Sequence, residues 1–282
     1  MYLNKPKWSD EYGQRFTDVA YGNREHNTYD LYLPNDAAQQ DSLALILYVH
    51  GGSWVGGDKN EHHGDCYRWL QKGYATATMN YSLLNEDGVS IPTMLEEIDS
   101  CIQHIEGFAA RQGIRIRQMA IGGTSAGGHL AMMYAYSRSH QLPLRFATIK
   151  VGPSDLRILF PYNGNAKAED IEKFAFSCTA KHWYASSLNA ELLDSIKLLA
   201  SPIAYINDLT ALPAIFAYGG NDGLVKPENY RELQVHYDSL DLEIYYSAVK
   251  TRYERVKTCR MCRKRVASSL QQLCNSLIIN VL

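Results

Sequence analysis

The sequence predicts an α/β protein: a mostly parallel, twisted sheet with helices on both faces and a small inserted segment. Apolar runs of strand length alternate with helix-patterned stretches, the signature of a sheet covered on both sides. One run, Leu43–Val49, is apolar without interruption, as expected for a strand buried on both faces. Glycine-rich turns directly follow two of the runs, and in such sheets ligands bind beyond the carboxyl ends of the strands.

The elements follow in order. Thr28 to Leu33 alternates with period two and stops at Pro34, so it reads as an edge or antiparallel strand. Leu43–Val49, Tyr74–Met79 and Gln118–Ile121 are the next strands. Between the last two, Leu95, Ile98, Ile102, Ile105 and Phe108 recur in steps of three and four. That spacing places them on one face of a helix that begins near Pro92 and ends near Gly113. Phe146–Val151, Ala214–Tyr218 and Leu242–Tyr246 complete the strand set, with a helical stretch over Glu228–Leu240. Residues 155–200 are aromatic-rich and irregular and interrupt the alternation, which suggests a cap inserted into a single domain spanning 1–282.

Composition bounds the function. Of 282 residues, 46% are hydrophobic and 21% charged, ordinary values for a globular protein, and the net charge of −2 gives no reason to expect nucleic acid or an anionic membrane. No apolar run approaches the ~18 residues of a membrane span. The N-terminus lacks the apolar core of a signal peptide, and six cysteines make no disulfide framework, so a reducing cytoplasmic setting is expected. Charge is uneven, however. Residues 250–282 carry +7 against −9 for the rest, and hold three of the six cysteines, Cys259, Cys262 and Cys274.

Two motifs carry chemistry. Gly123-Thr124-Ser125-Ala126-Gly127-Gly128 lies between a strand and an apolar helical run, the context of a nucleophile elbow. Glycines at 123 and 127 permit the tight turn that lifts a serine hydroxyl clear of the sheet. His50-Gly51-Gly52-Ser53-Trp54 directly follows the buried strand. Side-chain-free residues there bring backbone N–H groups close to a ligand, as an oxyanion hole requires. The expected donors are Gly51, Gly52 and Ala126.

With these motifs the chain resembles the HGG-type α/β-hydrolases, in particular their bacterial esterase/lipase-like branch. The resemblance runs over about residues 25–248, through His50–Trp54, Gly57-Asp58-Lys59, Lys72-Gly73-Tyr74-Ala75, Asn80-Tyr81, Pro92 with Asp99, and Ser125 to Leu130. It implies hydrolysis of small or carbohydrate-linked carboxylic esters, with Ser125 attacking the carbonyl and no metal or organic cofactor. Related formamidases share the loop, so an arylformamidase is the alternative within the enzyme class. Twenty tyrosines against seven phenylalanines hint at polar aromatic surfaces suited to sugars. The resemblance also implies an acid in a segment like Gly219-Gly220-Asn221-Asp222-Gly223-Leu224-Val225, which makes Asp222 the expected carboxylate, with Asp155 as the outsider.

The same resemblance places a catalytic histidine near residues 249–254, where the sequence is Val249-Lys250-Thr251-Arg252-Tyr253-Glu254. Among nine histidines only His236 follows Asp222, and it sits within the helical stretch before the last strand. The triad histidine is thus without a candidate. Three readings of the segment 249–282 stand together. It is out-of-frame or replaced sequence, it belongs to a non-catalytic homologue that keeps the pocket as a binding protein, or it has a function of its own. For the last, a lone Cys259-x-x-Cys262 falls short of the usual four-ligand zinc set. Oligomeric state is not legible in the sequence.

Overall fold

The computed structural model describes residues 6–162, 164–220, 222–239 and 244–249, the last without their side chains. The expectations placed on residues 250–282, including the histidine window after Val249 and the Cys259/Cys262 pair, lie outside the described residues.

Eight strands form one sheet in the order β1-β2-β4-β3-β5-β6-β7-β8. They are β1 (Gln14–Ala20), β2 (Thr28–Leu33), β3 (Leu43–Val49), β4 (Ala75–Met79), β5 (Ile116–Thr124), β6 (Leu144–Lys150), β7 (Ala214–Gly219) and β8 (Ile244–Val249). β1 pairs antiparallel with β2, and β2 antiparallel with β4. The six strands from β4 to β8 run parallel. The mostly parallel sheet expected from the sequence is therefore observed. Thr28–Leu33 is antiparallel as expected but does not form the edge, because β1 flanks it. Strand β1 escapes the periodicity reading because five of its seven side chains are exposed and it carries a bulge between Phe16 and Val19.

Alternation along the strands divides the core. In β3, Leu45, Leu47 and Val49 point to one face, where α2 (Ile91–Arg111) and α3 (Ala126–Ser137) pack. Ile46 and Tyr48 point to the other, beside Cys66, Trp69 and Leu70 of α1 (His63–Leu70). Helix α2 begins with Ser90, whose side chain accepts the Thr93 N–H, and Pro92 occupies its first turn. Helix α3 is buried from Ala126 to Tyr136, so it is a core helix without a polar face.

Residues 155–205 lie between β6 and β7. The expected irregularity gives way there to a short α4 (Leu156–Leu159) and two longer helices, α5 (Ala168–Thr179) and α6 (Ala190–Leu199). Each turns an apolar side inward, Ala175 and Cys178 from α5 and Leu193 and Ile196 from α6, which is why aromatic content alone misread them. α7 (Glu228–Ser239) covers β7 through Leu233 and Tyr237. Cys66, Cys101 and Cys178 are buried free thiols. Among the described residues no helix is long and apolar enough to cross a membrane.

The fold leaves no room where α3 meets the end of β3. A Cβ on Gly127 would stand 2.1 Å from the Val49 carbonyl oxygen and 2.3 Å from that of His50, whereas one on Gly223 would meet nothing within 4 Å. Gly127→Ala should therefore cost about 3 kcal/mol or more of unfolding free energy. Gly223→Ala should stay within about 1 kcal/mol of the parent. Urea denaturation of the two variants checks this, and equal effects would contradict the packing described.

Candidate active site

Backbone constraint builds the centre of the site. Ser125 joins β5 to α3 with φ 53° and ψ −120°, a conformation that L residues rarely adopt. Its N–H donates to the Lys150 carbonyl at 2.8 Å and its carbonyl accepts the His129 N–H at 2.9 Å, so the residue is fastened to β6 and to α3 at once. Ala126 is the first residue of α3, and the amides of a first helical turn have no intrahelical partner.

The loop after β3 lies directly against this turn. A Cβ on Gly51 would stand 3.4 Å from the Ser125 Cβ. Gly52 has φ +116° and faces the Gly56 carbonyl at a distance only glycine tolerates. The His50 ring stacks on Tyr81 at 4.3 Å, and its Nδ1–H donates to the Gly51 carbonyl at 2.7 Å. Burial lowers the pKa of His50, which keeps the imidazole neutral for this role. Of the three amides expected to converge, Gly51 is already engaged: its N–H donates to Glu61 Oε2 at 2.7 Å. Among the described residues the Gly52 N–H has no protein acceptor.

Asp222 follows β7 on the same edge of the sheet, two strands from Ser125 in the order β5-β6-β7. Its Oδ1 accepts the N–H groups of Leu224 and Val225 at 2.8 and 2.9 Å, which fixes the carboxylate and leaves Oδ2 outside that turn. Asp155 is differently used. It is buried, caps α4, and is held by the Arg157 guanidinium at 2.6–3.0 Å.

The histidines close to these groups are committed. His129 Nδ1 accepts the Trp54 indole N–H at 3.3 Å and its Nε2–H donates to the Ala200 carbonyl at 2.7 Å. Full burial lowers its pKa to about 4. His236 Nε2–H donates to the Ile206 carbonyl at 2.7 Å. One polar group was not singled out from the sequence. His62 stacks on Tyr48, approaches the Thr124 hydroxyl at 3.5 Å through Nε2, and bonds Asp65 at 3.0 Å through Nδ1. Lys150 reaches the same Asp65 oxygen at 3.0 Å. The only sequence signal was an i, i+3 His/Asp spacing in a polar stretch, too common to select. Among the described residues no group of three His, Cys, Asp or Glu side chains is placed to hold a metal ion.

In the segment between β6 and β7, Phe160, Tyr162, Ile171, Phe174 and Leu193 line a cavity of about 230 Å³ with Lys197 at its wall. Phe160 lies 6.3 Å from Trp54, so this cavity adjoins the loop after β3.

The Asp65 cluster should be visible in acid. Burial works to raise the Asp65 carboxyl, but the His62 hydrogen bond and the Lys150 charge outweigh it and hold the carboxyl well below the usual range. A depressed folded pKa stabilises above the unfolded value of about 3.9 and loses that contribution as pH falls through the folded one. Asp65→Asn should thus lower stability at pH 7 by roughly 3 kcal/mol. It should also flatten the decline of Tm between about pH 4 and pH 2. An unchanged acid limb would refute the pairing.

The BD-FAE family profile matches residues 29–236. A kynurenine formamidase of Danio rerio is 28% identical over 120 residues, 43% of this chain and 38% of that protein. Esterase LipI of Mycobacterium tuberculosis is 27% identical over 106 residues, 37% of this chain and 32% of that one. The matched stretch thus spans about a third of these relatives' own lengths. Among solved structures, a truncated carbohydrate esterase from gut microbiota superposes with a TM-score of 0.68 at 20% identity, over 86% of this chain and 89% of that one. Esterase B of Lactobacillus rhamnosis gives 0.63 at 19%, over 86% and 76%. At such identities the structural likeness establishes the fold. The family match over most of the chain establishes more: the chain belongs to the BD-FAE family, in the esterase- and lipase-like branch of the α/β-hydrolases.

Proposed function

We propose that this chain is a serine carboxylester hydrolase for small or carbohydrate-linked esters, with turnover impaired by the absence of a triad histidine. The observation that carries the reading is Ser125, held at φ 53° between β5 and α3 and against the loop after β3. Backbone strain of roughly 1–3 kcal/mol persists where the surroundings impose it, and such strain clusters at functional sites. Ser125 Oγ attacks the ester carbonyl, its proton ending on the departing alkoxide so that an acyl-enzyme forms and the alcohol leaves, and water then releases the acid and restores the serine hydroxyl. The Gly52 and Ala126 N–H groups stabilise the oxyanion. Gly51, also expected as a donor, gives its N–H hydrogen bond to Glu61 and serves the loop instead. Asp222, through Oδ2, is the carboxylate that would orient an imidazole if one were supplied.

The segment 155–200 acts as a cap in this reading, with its apolar cavity beside Trp54 receiving the apolar part of a substrate. The whole chain then works as one domain. The ester substrate is a small molecule, and the setting is cytoplasmic. A second reading, an amide hydrolase of the arylformamidase type, is favoured by the similarity to a kynurenine formamidase. It is told apart by turnover of an N-formyl aromatic amide in preference to an ester. A third, a binding protein that has lost turnover, follows from the histidine inventory itself.

Losing the base of a triad costs on the order of 10⁴–10⁶ in kcat. Hydrolysis of p-nitrophenyl acetate by this chain should accordingly be very weak, and Ser125→Ala should change it little. Histidine placed singly across the window, as in Lys250→His, Thr251→His or Arg252→His, should raise turnover at one position at least 100-fold, and Ser125→Ala should remove that gain. Ordinary turnover by the parent chain, abolished by Ser125→Ala, would show that a base exists. No gain at any position would leave the binding-protein reading in command.

A further inference from the structure

The loop after β3 is held peptide by peptide. The peptide between His50 and Gly51 is pinned at both ends: its carbonyl accepts the Tyr81 hydroxyl at 3.0 Å, and its N–H donates to Glu61 Oε2 at 2.7 Å. The carbonyl of the next peptide, Gly51 to Gly52, accepts the His50 Nδ1–H at 2.7 Å. A trans peptide points its carbonyl and its N–H in opposite directions, so this bond sends the Gly52 N–H away from the His50 ring. The Gly52 carbonyl accepts the Val55 N–H at 3.1 Å. Among the described residues, the charged side chain that contributes to this ladder is that of Glu61.

Glu61 is itself presented by a rigid turn. Asp58 starts the turn by accepting the Asn60 N–H at 2.8 Å. Lys59 is buried, donates its N–H to Asn80 Oδ1 at 2.6 Å, and pairs through Nζ with Asp18 and Asp30 at 2.7 and 3.2 Å. On the other side His62 is buried and bound to Asp65. With both neighbours fastened, the Glu61 carboxylate reaches Gly51 at little conformational cost. The same Oε2 lies 3.4 Å from the position a Gly51 Cβ would take, and the Ser125 Cβ lies 3.4 Å from that position too. Gly51, whose N–H Glu61 holds, is therefore the residue that lies against the serine.

We propose that Glu61 is a positioning residue for the oxyanion-binding loop: by holding the His50–Gly51 peptide it fixes the direction of the Gly52 N–H relative to Ser125. The inference rests on the serine hydrolase reading given above. Its chemistry is hydrogen-bond acceptance, in which ionisation adds strength because a charged acceptor makes roughly twice the bond of a neutral one. Glutamine at 61 keeps an acceptor oxygen at the same reach. Aspartate keeps the charge but falls one methylene short, and alanine has neither.

The test compares an alkyl trifluoromethyl ketone, whose acidic hemiketal with Ser125 releases its proton to solvent and carries an oxyanion, with the matching methyl ketone, which binds without forming one. Adduct formation is followed by 19F NMR and affinity by competition, which needs no turnover. Glu61→Ala and Glu61→Asp should each weaken the trifluoromethyl ketone at least 10-fold while moving the methyl ketone less than 2-fold, and Glu61→Gln should recover to within about 3-fold of the parent. Glu61→Asp keeps the test decisive if Glu61→Ala does not fold. Equal weakening of both ketones would mean general loss of structure and would overturn the proposal. So would a Glu61→Gln variant as poor as Glu61→Ala, which would make charge rather than peptide positioning the cause. An adduct unaffected by any variant overturns the proposal alone. A parent chain that forms no adduct, and is indistinguishable from Ser125→Ala, overturns the serine reading and this inference with it.

Discussion

The site depends on a backbone-to-backbone contact. Helix α3 approaches the end of β3 so closely at Gly127 that the Val49 and His50 carbonyls stand where a side chain would begin. That contact sets the register between the turn at Ser125 and the loop at Gly51–Gly52, the two pieces of chain on which the proposed chemistry rests. A parallel sheet makes it available, because β3 and β5 are neighbours that end on the same edge, with Val49 opposite Gly123. The strain at Ser125 is sustained by the same packing. Hydrogen bonds to Lys150 and His129 hold the residue from both sides while a fully buried helix follows it.

Around that contact, polar groups are spent on holding backbone rather than on facing solvent. Tyr81, His50 and Glu61 each bind one peptide group of the loop after β3, and Asn80, Asp58 and Lys59 hold the turn that carries Glu61. Asp222 gives one oxygen to two amides of its own turn. In the proposed reading the consequence is preorganisation: donors already fixed need no reorganisation when charge develops in front of them. This economy explains why so many buried polar residues, His50, His62, Asn80, Asp30 and Lys59 among them, gather at one edge of the sheet.

Much of this was legible in the sequence where a residue's type alone dictates its surroundings. The unbroken apolar run Leu43–Val49 could only be a doubly buried strand, and its observed bounds are the same residues. The glycines at 51, 52, 123 and 127 announced close approach before any partner was known. Legibility failed where the deciding fact was a tertiary partner. Strand β1 forms because β2 offers an antiparallel edge, not because Gln14–Ala20 has a strand pattern. The helices between β6 and β7 bury narrow apolar faces, so composition masked their period. The motif His50-Gly51-Gly52 shows two amides in prospect, Gly51 and Gly52, but not that Glu61, ten residues on from Gly51, claims one of them.

The histidines carry the same lesson into chemistry. An imidazole acts as a base through a nitrogen with a free lone pair aimed at a proton, and each ring nitrogen used in structure removes one such opportunity. His129 lies one helical turn beyond Ser125, yet both its nitrogens are taken, by Trp54 and by Ala200, and burial keeps it neutral. His50 adjoins the loop, yet its Nδ1 holds the Gly51 carbonyl and its face covers Tyr81. His236, alone in following Asp222, is spent on Ile206 from within a helix that packs on β7. Proximity in sequence or space is therefore a poor guide to a base. These three rings are structural parts of the scaffold, and the chemistry proposed for Ser125 draws no base from them.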